Sequence, residues 1–166
     1  HQTARRAKKG EKRNMAMTKK EQSLLKDLQN EEKLCAEKYQ KAAEAACDPA
    51  LKTMLGQIAQ AEQNHYDTVT QMLAGKVPEP QTTQPKAAKQ QPAPGQSAAN
   101  RAGKKKDAYL VADLLATEKY VSAAYNTSVF EFCDEKSRQV LSGIQQQEQH
   151  HGKQLFDYMQ VNGMYR

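Results

Sequence analysis

The apolar residues of this chain recur in alternating steps of three and four, and polar residues interrupt the pattern at regular places. The clearest example is the stripe formed by Leu51, Leu55, Ile58, Glu62, His65, Val69 and Met72. Residues at this spacing share one face of an α-helix. A Glu and a His therefore occupy positions where a helix that packs on a core normally carries apolar side chains.

Three other segments repeat the pattern, and each contains a polar misfit. These misfits are Glu32, Glu118, Glu148 and His151. Asp48 followed by Pro49 is typical of a helix start, and Asp134 is a second helix cap of the same kind. We therefore predict four helices in two hairpins, over residues 18–75 and 107–163.

The segments outside the hairpins lack this periodicity and are basic. Residues 1–14 carry a net charge of +5 and residues 76–106 carry +6, whereas the remainder carries −5. Residues 76–106 also hold five of the six prolines, so we predict an extended linker there. Residues 1–17 are predicted to be a disordered basic arm, and salt-dependent contact with nucleic acid is the alternative role of this arm.

The two hairpins share one sequence pattern. A shift of 86 positions, without a gap, matches fourteen residues of the first hairpin with the same residue type in the second. These matches pair Glu32 with Glu118, Glu62 with Glu148, and His65 with His151. We therefore predict that the chain is a duplicated helical hairpin.

Counting along the helices places the polar misfits at one height. Glu32 lies sixteen residues before Asp48 and Glu62 lies fourteen after it, so both stand roughly 21 to 24 Å from the turn. The second hairpin has the same spacings, which predicts an all-α four-helix bundle with one central polar layer. The linker is long enough to cross the bundle, which places Cys47 and Cys133 at opposite ends without a disulfide between them.

The polar layer predicts a metal site. Four ionised carboxylates in an apolar core need counter-charge, and two divalent cations would supply it. One Glu from each of two helices plus Glu-x-x-His from each of the other two is the ligand pattern of di-iron and di-manganese proteins with a ferritin-like bundle. We predict two iron ions, or alternatively manganese, held by Glu32, Glu62, His65, Glu118, Glu148 and His151. The structural alternative is a partly hydrated polar layer that fixes the register of the helices.

Two tyrosines follow the predicted ligands by two helical turns. Tyr39 lies seven residues after Glu32, and Tyr125 lies seven residues after Glu118. Either tyrosine is a candidate for a hydrogen bond to a ligand carboxylate or for a redox-active phenol. The alternative is an ordinary core tyrosine with one satisfied hydroxyl group. We predict no catalytic residue beyond the metal ligands.

Composition argues against two classes of protein. No apolar run approaches the roughly 20 residues of a transmembrane helix, so no membrane span is predicted. Three cysteines without closely spaced pairs argue against a disulfide framework. Because the N-terminal charges are not followed by an apolar segment, we expect an intracellular protein.

The chain resembles the Coat F spore coat proteins of endospore-forming bacteria. In the second hairpin the similar segments are YLVADLLATEKYVSAAYNTSVFEF and QQEQHHGKQLFDYMQVNGMYR, and in the first KKEQSLLKDLQNEEKLCAEKYQKAAEAACDPALKTML is similar to the opening of the same module. The resemblance implies a ferritin-like fold, a place in the spore or spore coat, and other coat proteins as partners. The six predicted ligands are also similar to the ligand pattern of ferritin and rubrerythrin.

Three hypotheses of function remain open at this point. The first is a di-metal protein that oxidises Fe(II) or reduces peroxide, with oxygen or peroxide as its small-molecule substrate. The second is a structural coat protein whose site is empty or purely structural. The third is a nucleic-acid-associated protective protein that uses the basic arm, and a homodimer is compatible with all three.

Overall fold

The four predicted helices are present in a computed structural model, which describes residues 16–80 and 93–165. They are α1 (Lys19–Ala45), α2 (Pro49–Leu73), α3 (Arg101–Glu131) and α4 (Glu135–Val161). The described residues contain no strand, so the all-α class is confirmed. Helix α1 packs on α2 and α3, and α4 packs on α3 and α2, which gives a four-helix bundle. None of the described helices combines the length and apolar character that crossing a membrane requires.

Polar caps determine where the helices begin. Thr18 and Glu21 form a reciprocal capping box at the start of α1, in which each side chain accepts a hydrogen bond of 3.1 Å from the other residue's backbone N–H. Asp48 and Asp134 cap α2 and α4 as predicted, and Pro49 occupies the first position of α2. These caps satisfy backbone N–H groups that have no partner inside the helix.

The two hairpin turns lie at opposite ends of the bundle. Asp107, near the start of α3, accepts hydrogen bonds from the backbone N–H groups of Cys47 and Asp48 in the first turn. At the other end Lys20, near the start of α1, forms an ion pair of 2.9 Å with Glu131 at the end of α3. Helices α1 and α3 are therefore antiparallel, and the end of α2 and the start of α3 lie at opposite ends of the bundle.

Helix α3 begins six residues earlier than the periodicity predicts. The sequence places residues 101–106 in the linker because RAGKKK has no apolar pattern, whereas the structure shows them as the first turns of α3. Asn100 caps this start by accepting a hydrogen bond of 2.8 Å from the N–H of Gly103. Gly103 is buried, and a Cβ atom there would lie 3.0 Å from Cβ of Cys47. Contacts with the first turn therefore determine this boundary.

The end of the predicted linker is held by α4. The backbone N–H of Ser97 donates to Oδ1 of Asn162 at 2.7 Å, and the amide group of Asn162 donates to the carbonyl of Gly95 at 3.3 Å. The basic arm up to residue 15 and the central linker over 81–92 lie outside the described residues, so their predicted disorder stays a prediction.

We expect Asp107→Ala to lower the free energy of unfolding by about 2 to 3 kcal/mol. The Asp107 side chain is fully buried, and its loss would leave the N–H groups of Cys47 and Asp48 without their acceptor. Urea unfolding would measure the change. The control is Asp67→Ala, which removes an exposed carboxylate and should cost less than about 0.5 kcal/mol. Equal losses in both variants would contradict the role assigned to Asp107.

Two apolar clusters fill the ends of the bundle. One contains Tyr39, Leu51, Leu55, Val111, Leu155 and Tyr158, and the other contains Leu25, Leu28, Val69, Met72, Val121, Tyr125, Leu141 and Ile144. Each fully buried Leu contributes about 1.5 to 3 kcal/mol relative to an exposed one. The predicted polar layer lies between the two clusters in every helix, so its side chains are enclosed by apolar packing on both sides.

Candidate metal centre

Six polar side chains meet in the middle layer of the bundle. Helix α1 contributes Glu32, α2 contributes Glu62 and His65, α3 contributes Glu118, and α4 contributes Glu148 and His151. None of the six residues is more than 6% exposed. The structure therefore brings all six predicted ligands into one buried cluster. Their sequence neighbours lie elsewhere, since His150 is exposed and Glu31 is only half-buried.

The ligand atoms fall into two groups of four. One group is Glu32, Glu62, His65 and Glu148, and the other is Glu62, Glu118, Glu148 and His151. Within each group, one ligand atom per residue lies within 4.8 Å of all the others. Glu62 and Glu148 belong to both groups, so these two carboxylates can bridge two cations. Each group also has one carboxylate and one imidazole of its own.

Both imidazoles present Nδ1 to the shared carboxylates. Nδ1 of His65 lies 2.7 Å from Oε1 of Glu148 and 3.2 Å from Oε2 of Glu62. Nδ1 of His151 lies 3.0 Å from Oε1 of Glu62 and 3.5 Å from Oε2 of Glu148. The two rings are stacked with their centroids 6.0 Å apart. The two halves of the site are thus arranged alike around the shared pair.

A glutamine that the sequence pattern did not indicate orients one of these rings. Nε2 of His65 lies 2.6 Å from Oε1 of Gln147. Because an amide oxygen only accepts hydrogen bonds, Nε2 carries a proton, so Nδ1 is the nitrogen that can become a ligand atom once the ring is neutral. The repeat gives no hint of this contact, since the counterpart of Gln147 is Ala61.

The two tyrosines form reciprocal bonds between the hairpins. The Tyr39 hydroxyl donates to Oε1 of Glu118 at 2.5 Å, and the Tyr125 hydroxyl donates to Oε1 of Glu32 at 2.6 Å. Both tyrosines are fully buried. Burial raises the pKa of each phenol well above its usual value, and the nearby carboxylates add to the shift. Each tyrosine therefore stays a neutral donor that fixes a carboxylate of the opposite hairpin.

Burial and hydrogen bonding set the charges of the cluster. Burial raises the pKa of Glu32 to about 8 and that of Glu148 to about 10. Burial also opposes ionisation of Glu62, but hydrogen bonds with His151 and His65 outweigh it and hold the pKa of Glu62 far below its usual value. Burial likewise opposes a charged His151, yet its bonds with three carboxylates raise its pKa to about 11. Protons therefore neutralise the cluster when no cation is bound.

Three of the four carboxylates keep an unsatisfied oxygen. The Oε2 atoms of Glu32, Glu118 and Glu148 are buried without a hydrogen-bond partner in the described part of the protein. A buried polar atom without a partner is costly, and a bound cation would remove this cost. Carboxylate oxygens together with imidazole nitrogens suit iron, manganese or zinc. The residues present therefore fit a pair of divalent metal ions.

The second hairpin is similar to a known protein family. Residues 106–166 match the Coat F domain. This match covers most of α3 and all of α4, supports the Coat F family, and indicates a spore coat location. The first hairpin lies outside the match, so its similarity to the same module stays a prediction. No curated protein and no solved structure matches the chain.

We expect Tyr39→Phe and Tyr125→Phe to weaken metal binding by about 10-fold to 100-fold, because each removes the donor that fixes a ligand carboxylate. Competition with a coloured chelator would measure the affinity. The control is Tyr158→Phe, which removes a buried hydroxyl group that donates to Asp48, away from the cluster. An equal loss of affinity in the Tyr158 variant would contradict this role for Tyr39 and Tyr125.

Proposed function

We propose that the protein is a spore coat component with a ferritin-like bundle that holds two iron ions and oxidises Fe(II) or reduces peroxide. The observation that carries this proposal is that Glu62 and Glu148 belong to both groups of four ligands. A buried pair of shared carboxylates, with one further Glu and one His on each side, is the arrangement of di-metal carboxylate proteins. Manganese is the alternative metal, because the same ligand types suit it.

Charge balance supports two divalent ions. Four ionised carboxylates carry four negative charges, and two divalent cations with two neutral imidazoles neutralise them. Binding must then displace the protons that the metal-free cluster retains, as it does in other carboxylate and histidine sites. The Oε2 atoms of Glu32, Glu118 and Glu148, which have no hydrogen-bond partner, would become ligand atoms in this state.

The surrounding residues prepare the site in three ways. Tyr39 and Tyr125 hold Glu118 and Glu32 in place, each from the opposite hairpin. Gln147 keeps the proton of His65 on Nε2 and thereby directs Nδ1 towards the carboxylates. The apolar clusters on both sides limit the access of water. When bound, a pair of iron ions would supply the redox chemistry for electron transfer to oxygen or peroxide.

Oxygen-dependent oxidation of Fe(II) tests this proposal. Two equivalents of Fe(II) would be added under anaerobic conditions and then mixed with oxygen or with peroxide, while the formation of Fe(III) is followed by absorbance. We expect oxidation to be at least tenfold faster than in buffer for the wild type, and equal to buffer for Glu62→Ala/Glu148→Ala. Rates that are the same in both proteins would contradict a dedicated oxidation site.

One observation favours a structural role as the second candidate. The side chains of the cluster already form hydrogen bonds between helices, with Tyr39 bonded to Glu118 between α1 and α3 and His65 bonded to Glu148 between α2 and α4. Such a network can fix helix register without any metal, as a packing module of the coat would require. A protein that folds normally and binds no metal would favour this candidate. The nucleic-acid hypothesis depends on residues 1–14, which lie outside the described residues.

A further inference from the structure

Helix α3 carries a second apolar stripe on the face opposite the core. Its members follow helical spacing, all are exposed and none is charged: Tyr109, Ala112, Ala116, Tyr120, Ala123, Thr127 and Phe130. We call this set the outer stripe. Tyr109 is 76% exposed, Tyr120 67% and Phe130 73%. Single exposed apolar residues are normal, but an uncharged row along about 32 Å of helix indicates an interaction surface.

Helix α1 provides an internal comparison. The 86-residue shift relates the outer stripe to residues on α1 that are also all exposed: Ser23, Lys26, Asn30, Leu34, Glu37, Lys41 and Glu44. Four of these seven residues are charged, and Leu34 is the only large apolar one. The solvent-facing side of α1, at the matching positions of the repeat, is therefore polar. The apolar character of the outer stripe of α3 therefore needs an explanation that does not apply to α1.

The charges at the ends of α3 oppose the dipole of the helix. Its first turns carry Arg101, Lys104, Lys105 and Lys106, whereas Glu131, Asp134 and Glu135 lie at or just beyond its last turn. Near the ends of α3, Arg101, Lys104 and Glu131 are each unfavourable by about 0.3 to 1 kcal/mol, whereas Asp134 and Glu135 lie at the start of α4, where they are favourable. Glu131 is compensated by Lys20, but the three lysines form no ion pair within the described residues. An antiparallel neighbouring helix would make both ends favourable.

We propose that the outer stripe binds the outer stripe of a second copy of the chain. The two α3 helices would lie antiparallel about a two-fold axis between residues 119 and 120. This register pairs Tyr109 with Phe130, Ala112 with Thr127, Ala116 with Ala123, Lys105 with Asp134, and Lys104 with Glu135 of the second copy. Aromatic rings meet near both ends and at the axis, where the two Tyr120 side chains face each other, alanines flank them about one turn away, and opposite charges meet outside the terminal rings.

The size of the surface predicts a dimer of moderate strength. A single helix pair buries less than the roughly 800 Å² per partner that is typical of stable complexes. Dissociation constants on the order of 10 μM are therefore expected, well within the range of a concentration series. High local concentration in a coat would favour the dimer by mass action.

Sedimentation velocity of the full chain tests this proposal between about 5 and 500 μM. The apparent mass of the wild type is expected to rise with concentration towards twice the monomer mass, starting from a partly dimeric sample at the lowest concentration. Ala116→Glu/Ala123→Glu should remain monomeric, because four carboxylates would meet at the axis. Ala116→Glu/Ala123→Lys should dimerise at least tenfold more tightly than the double Glu variant, because the proposed register faces each new carboxylate with a new ammonium group.

The matched control is Asn30→Glu. In the 86-residue repeat Asn30 corresponds to Ala116, and Glu37 corresponds to Ala123. Asn30→Glu therefore gives α1 a pair of carboxylates at the positions that the double Glu variant changes in α3. It should leave dimerisation unchanged, and circular dichroism should show equal helix content in all variants. A monomeric wild type at every concentration would overturn the proposal and leave the outer stripe to another coat protein. Equal loss of dimer in the Glu/Glu and Glu/Lys variants would overturn the antiparallel register.

Discussion

An excess of Mn(II) is expected to raise the melting temperature of the wild-type protein by about 10 to 20 °C. A ligand at one hundred times its dissociation constant adds about 2.7 kcal/mol for each site, and in a domain of this size 1 kcal/mol corresponds to about 2 to 4 °C. Glu62→Ala/Glu148→Ala should show no such rise, because both groups of ligands lose their shared carboxylates. Differential scanning calorimetry with and without metal would measure the shift.

The control for this prediction removes two carboxylates from the surface. Glu37→Ala/Glu135→Ala should keep the full metal-dependent rise, since both residues are exposed and lie outside the cluster. Circular dichroism of the metal-free Glu62→Ala/Glu148→Ala protein must show a folded bundle, because His65 and His151 lose their carboxylate partners in it. The same rise in both double variants would mean that Mn(II) binds elsewhere.

The metal-free protein is expected to lose stability as the pH rises from 7 to 9. The pKa of Glu32 is raised to about 8 and that of Glu148 to about 10 by burial, whereas both carboxyls titrate near 4.5 when unfolded. Between these values the folded chain retains protons that the unfolded chain has released. Each such proton lowers the free energy of unfolding by about 1.4 kcal/mol per pH unit.

The titration of His151 also lowers the stability of the metal-free protein as the pH rises. Although burial opposes its charge, contacts with Glu118, Glu148 and Glu62 raise its pKa to about 11 from an ordinary 6.5. Its proton therefore stabilises the folded state below pH 6.5, and this contribution is lost as the pH rises towards 11. Metal binding should show the opposite trend, because ligands must release their protons to bind a cation. The metal-dependent rise in melting temperature is thus expected to increase with pH.

Urea unfolding at pH 7, 8 and 9 in the presence of a chelator would measure this dependence. The control is Glu32→Gln/Glu148→Gln, which removes two of the titrating carboxyls and should give a shallower slope. A metal-free stability that is constant or increases over this range would contradict the protonation assigned to the cluster.

The buried polar cluster could be predicted from the sequence because its residues break a pattern that is otherwise regular. Glu62 and His65 stand in an apolar stripe, and the 86-residue repeat places Glu148 and His151 in the same position of the second hairpin. Helix geometry then places them at one height, since the rise per residue is constant. The clustering that the structure shows follows from these local rules and from antiparallel packing.

Other features depend on contacts that no local pattern reveals. Residues 101–106 are helical because Gly103 and Asp107 contact the first turn, whereas their own sequence resembles the linker. Gln147 reaches His65 from the neighbouring hairpin, and its repeat counterpart Ala61 has no such role. The pairing of each tyrosine with the opposite hairpin likewise requires the relative position of α1 and α3.

The metal content of the purified protein tests the central claim most directly. The wild type and Glu62→Ala/Glu148→Ala would each be loaded with Fe(II) under anaerobic conditions, and separately with Mn(II), freed of excess metal and analysed by elemental mass spectrometry. We expect two metal ions per wild-type chain and none in the variant. A wild type with far less than one metal ion per chain, or a variant that retains as much metal as the wild type, would contradict a di-metal centre.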